Sequence, residues 1–230
     1  TMLLHLPAVL TPAQCHHLRT TLSDPAQRRW QSGRATAGAQ AAALKHNRQI
    51  DPTSPGYAAA AALIRDALLA QPLYQSAVLP AQLTAPMFNA YGAGEAYGLH
   101  VDAAIQRSGS TGLPLRTDVS TTVFLNDPDE YDGGELVVQD LYGCHDIKLA
   151  AGDALVYPAS SLHQVLPVRR GERLASFLWA QSLVRDPAQR QSLLDLDLSI
   201  QSLRQTVGDG ADLQRLTQLY HNLLRQWAES

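Results

Sequence analysis

The chain has 230 residues, 45% apolar and 17% charged, which predicts one sizeable folded core with an appendage and excludes a disordered chain. Lys and Arg number 18 against 21 Asp and Glu, a net charge of −3, which argues against a nucleic-acid binder. No apolar run approaches the roughly 18 to 20 residues of a membrane span, the first residues lack the basic start of a signal peptide, and two cysteines, Cys15 and Cys144, make no disulfide framework and fit a reducing cytoplasm.

Residues 1–82 read as a helical and loop support region packed against the rest of the chain. Thr11-Pro12 is a helix start, with a capping hydroxyl and Pro at the first helical position. A second helix is expected over Tyr57–Ala70, after the Pro55-Gly56 breaker. Between them Gly33–Gln40 reads as loop or edge strand, and Lys45-His46-Asn47-Arg48 either as a solvated basic turn or as part of the mouth of the site.

Residues 83–183 change character. Short alternating runs predict strands at Pro86–Tyr91, Tyr97–Val101, Thr117–Leu125, Glu135–Gln139, His145–Leu149, Ala154–Tyr157, His163–Val168 and Arg173–Gln181, hence a β-sandwich or barrel. The acidic loop 126–134 separates two of them. Residues 184–230 return to helix. One helix starts at Asp186-Pro187, Gly208-Asp209-Gly210 ends it, and a second carries Leu213, Leu216, Leu219, Leu223, Leu224 and Trp227 on one side. This C-terminal hairpin packs either on the β core or between chains as a homo-oligomer contact.

Two of the eight histidines stand in unusual settings. In Gly98-Leu99-His100-Val101-Asp102, a strand would aim His100 and Asp102 to one side and Leu99 and Val101 the other way, into apolar packing. His163 starts another strand 61 positions later. Two imidazoles and one carboxylate form the facial triad of non-haem Fe(II) oxygenases. Such a triad leaves coordination positions for a 2-oxo acid and O2. Arg173 opens a strongly apolar strand. There it grips the distal carboxylate of 2-oxoglutarate through two parallel hydrogen bonds, or pairs with an Asp or Glu, or stands at the surface. Asn89 and Tyr91 share one strand face, where Tyr91 either meets the oxo acid or satisfies its hydroxyl on backbone.

The run Tyr91-Gly-Ala-Gly-Glu-Ala-Tyr97-Gly-Leu-His100-Val-Asp102 resembles the Tyr-x-x-Gly-x-x-Tyr-x-x-His-x-Asp signature of prolyl-hydroxylase-like Fe(II)/2-oxoglutarate dioxygenases. Tyr131-Asp-Gly-Gly-Glu-Leu136, the stretch 152–163 and Arg173 come next in that family's order. More narrowly, the chain is similar to the bacterial PKHD-type hydroxylases, the PiuC/YbiX-like group associated with iron uptake; Arg34–Gly38, Gln40 and the C-terminal hairpin fit that group.

The resemblance implies a mainly β fold with flanking helices, a double-stranded β-helix (jelly-roll) core. It implies His100, Asp102 and His163 as iron ligands and Arg173 as the 2-oxoglutarate anchor. Ascorbate is implied as support reductant. The implied reaction hydroxylates a C–H bond of an unidentified small-molecule, siderophore-like or peptide substrate. One departure stands out: larger prolyl-hydroxylase relatives use a strand tyrosine as a second contact to the distal carboxylate, and the matching Thr121-Thr122-Val123-Phe124 has none, so a threonine hydroxyl substitutes or the contact stays open. The residues leave other classes open. A non-catalytic sensor of iron or 2-oxoglutarate could use the same barrel, as could a cupin-like isomerase or a zinc hydrolase. A halogenase is disfavoured because Asp102 stands where such enzymes need a small residue that does not bind the metal.

Overall fold

The computed structural model describes residues 3–36 and 42–229. Ala37–Ala41, which include part of the Arg34–Gln40 resemblance, lie outside them. Seventeen strands are present among the described residues: β1 Leu4–Leu6, β2 Trp30–Ser32, β3 Lys45–His46, β4 Arg48–Ile50, β5 Pro80–Leu83, β6 Met87–Tyr91, β7 Ala96–His100, β8 Ile105–Arg107, β9 Pro114–Arg116, β10 Val119–Phe124, β11 Asp132–Gly133, β12 Leu136–Asp140, β13 Gly143–Ile147, β14 Ala154–Pro158, β15 His163–Val165, β16 Val168–Arg170 and β17 Arg173–Ser182. The α-helices are α1 Pro12–Ser23, α2 Tyr57–Ala70, α3 Pro72–Val78, α4 Pro187–Val207 and α5 Ala211–Trp227.

Two antiparallel sheets face each other. The major sheet runs β1-β14-β10-β17-β6-β4-β2, with β5 also on β17, and the minor sheet runs β13-β12-β15-β7-β3. This is the jelly-roll arrangement of a mainly β fold with flanking helices. Alternation along β10 explains how it is filled. Val119 and Val123 join Leu18, Ile64, Leu68, Tyr74 and Phe88 in the core between the major sheet and the N-terminal helices. Phe124 faces the other way, into a second core with Tyr91, Leu155, Tyr157, Leu136 and Val138 between the sheets. Each fully buried Leu, Ile or Phe contributes about 1.5–3 kcal/mol, so the helix-backed core holds the major sheet as a rigid floor for the space between the sheets.

Local chemistry sets the ends of the elements. Thr11 caps α1 through a reciprocal bond with Gln14, and Asp186 caps α4 by accepting from the amides of Ala188 and Gln189. The strand expected over His163–Val168 is split, because Pro167 offers no N–H; β15 stays in the minor sheet and β16 pairs with β11. The strand expected at His145–Leu149 starts two residues earlier, since the Asp140 carboxylate accepts from Tyr142 and Gly143 and tightens the turn. Gly33–Thr36 is a short 3-10 turn rather than loop or edge strand. Residues 3–82 contribute more than helix and loop: β1, β2, β4 and β5 extend the major sheet and β3 the minor one.

Candidate metal centre and co-substrate pocket

β7 and β15 bring the two histidines together. Their register pairs Val165 with Tyr97 but His163 with His100, so β7 carries one extra residue against β15. A bulge of this kind re-aims the side chains beside it. Here it turns both Tyr97 and His100 inward, where their rings stack at 3.6 Å and 17°. The simple alternation expected for residues 98–102 is therefore corrected. β7 ends at His100, Asp102 lies beyond it, and Leu99 and Val101 are 42% and 52% exposed instead of packed. The helical layer covers the major sheet, so the outer face of β7 meets water. Thr117 holds the chain after Asp102 through bonds to the carbonyls of Ala103 and Ala104.

His100, Asp102 and His163 each offer a donor atom, and the three atoms lie within 4.8 Å of one another. The His163 Nε2 stands 3.7 Å from an Asp102 carboxylate oxygen, and the two imidazole centroids are 4.2 Å apart. His100 Nδ1 donates to the Gly98 carbonyl at 2.8 Å and His163 Nδ1 to the Ser161 carbonyl at 3.0 Å. Those bonds fix the tautomer that leaves each Nε2 lone pair bare. The other Asp102 oxygen is buried without a hydrogen-bond partner among the described residues. Burial, with the His163 ring close by, lowers the His100 pKa to about 3, so the ring is neutral at physiological pH. Neutral imidazoles and a bare carboxylate oxygen suit a divalent transition metal, and the residues present fit Fe(II).

The major sheet supplies the rest of the pocket. Arg173 pairs in register with Tyr91, and Ala175 with Asn89. Arg173 is 1% exposed, its Nε lacks a hydrogen-bond partner, and no carboxylate forms an ion pair with it among the described residues. Surface exposure and an internal salt bridge are thus both corrected as readings of Arg173; the neighbouring Arg169 and Arg170 are the exposed ones, the latter on Asp132. The guanidinium lies 5.5 Å from the Tyr91 ring and 5.2 Å from the Phe124 ring. Burial pushes the Tyr91 phenol up to about 12, against the pull of Arg173. Asn89 faces the same space with its Oδ1 unpartnered.

Two further stretches bear on the pocket, one given no role from the sequence and one left there between two readings. Tyr131, at the end of the acidic loop, is fully buried with an unpartnered hydroxyl. Burial raises its pKa and the nearby Arg173 opposes the rise, which puts a phenol beside the guanidinium. The signal was present in Tyr131-Asp132-Gly133-Gly134: both glycines have positive φ, near 70°, and a Cβ on Gly133 would meet the Pro167 carbonyl at 2.1 Å. The second feature is Lys45-His46-Asn47-Arg48, which is no solvated turn. Lys45, Asn47 and Gln49 are buried in alternation with exposed His46 and half-buried Arg48. The Lys45 ammonium lies 5.2 Å over the Tyr97 ring and 6.0 Å from the Phe177 ring. Burial lowers its pKa to about 8, with Asp102 opposing.

Comparison with known proteins agrees with this geometry. Residues 86–181 match the family model of the 2OG-Fe(II) oxygenase superfamily, and residues 187–229 that of the PKHD-type hydroxylase C-terminal domain. The chain is 54% identical to a PKHD-type hydroxylase of Hyphomonas neptunium over 229 residues, covering 100% of both chains. It is 52% identical to one of Klebsiella pneumoniae over 225 residues, covering 98% of this chain and 99% of the other. Among solved structures, a Pseudomonas putida prolyl-4-hydroxylase aligns with a TM-score of 0.54 at 22% identity, over 78% of this chain and 92% of that one. A prolyl hydroxylase of Trichoplax adhaerens aligns with a TM-score of 0.55 at 13% identity, over 83% and 86%. At these identities the structural matches speak for the fold.

Proposed function

This chain belongs to the PKHD-type hydroxylases of the 2OG-Fe(II) oxygenase superfamily, and from that premise we propose that His100, Asp102 and His163 hold the ferrous ion, that Arg173 anchors 2-oxoglutarate, and that the enzyme hydroxylates a C–H bond of a small molecule. The balanced reaction takes 2-oxoglutarate, O2 and the C–H compound to succinate, CO2 and the alcohol. One observation carries the assignment: three metal-type donors converge in the same intersheet space as a buried arginine with no acidic counter-ion among the described residues. An unpaired buried charge costs several kcal/mol, so this space is built to receive an anion.

When bound, the ferrous ion supplies the redox centre at which O2 is activated. The residues around it do the positioning. Arg173 grips the distal carboxylate through its planar fork, and the Tyr131 hydroxyl gives that carboxylate a second hydrogen bond in place of the missing strand tyrosine. Tyr91 and Asn89 line the side of the dicarboxylate from β6. The Gly98 and Ser161 carbonyls keep the Nε2 lone pair of each histidine facing the ion. The surrounding Phe124, Tyr157 and Leu155 exclude water, which strengthens every charge interaction within.

On family likeness, L-ascorbate serves as support reductant and the enzyme acts in iron uptake on a siderophore-like substrate. Its compartment is a reducing cytoplasm, a reading supported by Cys15 and Cys144 both being free. No helix among the described residues is long and apolar enough to cross a membrane. The first test is anaerobic titration with Fe(II) and 2-oxoglutarate. Wild-type protein gives the visible absorption band of the chelate and, with air, succinate. Arg173→Ala removes a buried charge contact worth about 3 kcal/mol, so 2-oxoglutarate affinity falls roughly 100-fold while Fe(II) still binds. Absence of the band in wild type, or unchanged affinity in Arg173→Ala, contradicts the proposal.

A further inference from the structure

The three ligand-type residues are held unequally by the sheet. His163 sits inside it, with β12 on one side of β15 and β7 on the other; it is 5% exposed, and the Tyr157 ring meets its imidazole edge-on at 5.2 Å. His100 is the last residue of β7. It has β15 on one side only. On the other side β3 pairs with Ala96 and Tyr97, and the ladder stops at Gly98, whose amide donates to the Leu44 carbonyl. Asp102 lies two residues past the strand end, and its Oδ2 is buried without a hydrogen-bond partner among the described residues. Strand pairing therefore fixes one of the three well and the other two poorly. A metal site works best with every donor held before the ion arrives, because each loose donor loses conformational entropy on binding.

Two residues outside the triad make up the difference. Tyr97 lays its ring on His100, the centroids 3.6 Å apart and the planes 17° from parallel. The Nδ1 bond to Gly98 tethers the imidazole only to its own strand, and the stack closes one face of the ring against rotation about that tether. Tyr97 is itself paired on both sides, with Val165 of β15 and with Lys45 of β3. Thr117 acts on Asp102 by another means. Its hydroxyl donates to the Ala103 carbonyl at 2.7 Å and its amide to the Ala104 carbonyl at 3.0 Å, so the segment that carries Asp102 is tied to the chain entering β10. Thr117 is 8% exposed, and its neighbours lock it to the major sheet. Arg116 grips the Asp118 carboxylate at 2.7 and 3.0 Å, and that carboxylate accepts from the Ser182 amide at the end of β17.

We propose that Tyr97 and Thr117 are positioning residues of the metal centre: Tyr97 sets the plane of the His100 ring through its aromatic face, and Thr117 sets the Asp102 carboxylate through its hydroxyl. This rests on the reading of His100, Asp102 and His163 as metal ligands. It makes the centre a joint between the sheets, since Thr117 fastens a ligand of the minor sheet to the rigid major one.

Calorimetric titration of the metal-free protein with Co(II), whose visible absorption also reports its ligands, tests both residues without turnover. Tyr97→Leu fills space with no ring to stack, and Thr117→Val keeps the shape without the hydroxyl. Each weakens Co(II) binding about ten-fold and alters the absorption band, while Tyr97→Phe and Thr117→Ser stay within about two-fold of wild type. Unchanged affinity in folded Tyr97→Leu overturns the role of Tyr97, and the same result in folded Thr117→Val overturns that of Thr117. A ten-fold loss in Tyr97→Phe or Thr117→Ser also overturns the role concerned, whether or not the other variant folds, because the ring or the hydroxyl is still there. His163→Ala is titrated in the same series. Wild type that takes up no Co(II), or His163→Ala that takes it up equally, defeats the ligand reading; normal wild-type binding that Tyr97→Leu and Thr117→Val leave untouched defeats this inference alone.

Discussion

His100, Asp102 and His163 could be picked from the sequence because metal chemistry restricts donor types and because His-x-Asp is a compact pattern. Their orientation could not. It depends on one extra residue in β7, and a bulge leaves no period in the sequence, only the small Gly98 beside it. Tyr131 escaped for a related reason, and Lys45 stayed between a solvated turn and the mouth of the site: each sits in a stretch that reads as polar loop, and only the closing of the barrel buries it. The burial of His100 has a measurable consequence. Its folded pKa, about 3, lies below the ordinary value near 6.5. As pH falls through 6.5 the unfolded chain takes up a proton that the metal-free folded chain refuses, so this contribution to stability is full above 6.5 and is lost progressively between 6.5 and 3. Urea unfolding of the metal-free protein at pH 7 and pH 4.5 checks this. The stability lost on acidification is smaller in His100→Gln than in wild type; equal losses contradict it.

At the level of elements, the long strands of the barrel were legible to within a residue or two, because β6, β10, β14 and β17 carry strong apolar alternation against a helix-backed floor. The two- and three-residue strands β2, β3 and β4 were not, since alternation over so few residues carries no signal and their pairing is fixed by β6 and β7. The end helices were legible from Thr11-Pro12 and Asp186-Pro187, where a capping side chain and an N1 proline coincide. The turn that presents Tyr131 depends on glycine. Gly133 has φ near 71° and sits against the Pro167 carbonyl, where β11 meets β16. Gly133→Ala both strains the backbone and forces that carbonyl away, at roughly 3 kcal/mol. Chemical denaturation shows a loss of that order; a change below about 0.5 kcal/mol would mean the turn has room to relax.

Across the whole molecule, the C-terminal hairpin is joined to the barrel rather than hung from it. Tyr220, Leu223, Leu224 and Trp227 of α5 pack on the buried Leu79, Val184 and Leu193. Val184 bridges to Ala228, and the Glu229 carboxylate pairs at 2.8 Å with Arg116, which also grips Asp118 at the foot of β10. Part of the apolar side of α5 is thus used within the chain, while Leu219 stays 47% exposed; the sequence pattern does not say which surface covers a helix stripe. Leu213 is the buried anchor of that helix. Leu213→Ala costs about 3 kcal/mol, which lowers Tm by roughly 10 °C in a chain of this size. An unchanged Tm in thermal unfolding would mean that the hairpin melts apart from the barrel.

The proposed chemistry rests on one ion shared by His100, Asp102 and His163. Crystals grown anaerobically with Fe(II) and 2-oxoglutarate, with data collected on both sides of the iron edge, locate that ion by its anomalous scattering. The prediction is a single iron peak bonded to His100 Nε2, His163 Nε2 and an Asp102 oxygen, with the dicarboxylate running from it to Arg173. An iron peak away from these three side chains, or a dicarboxylate that does not reach Arg173, would contradict it.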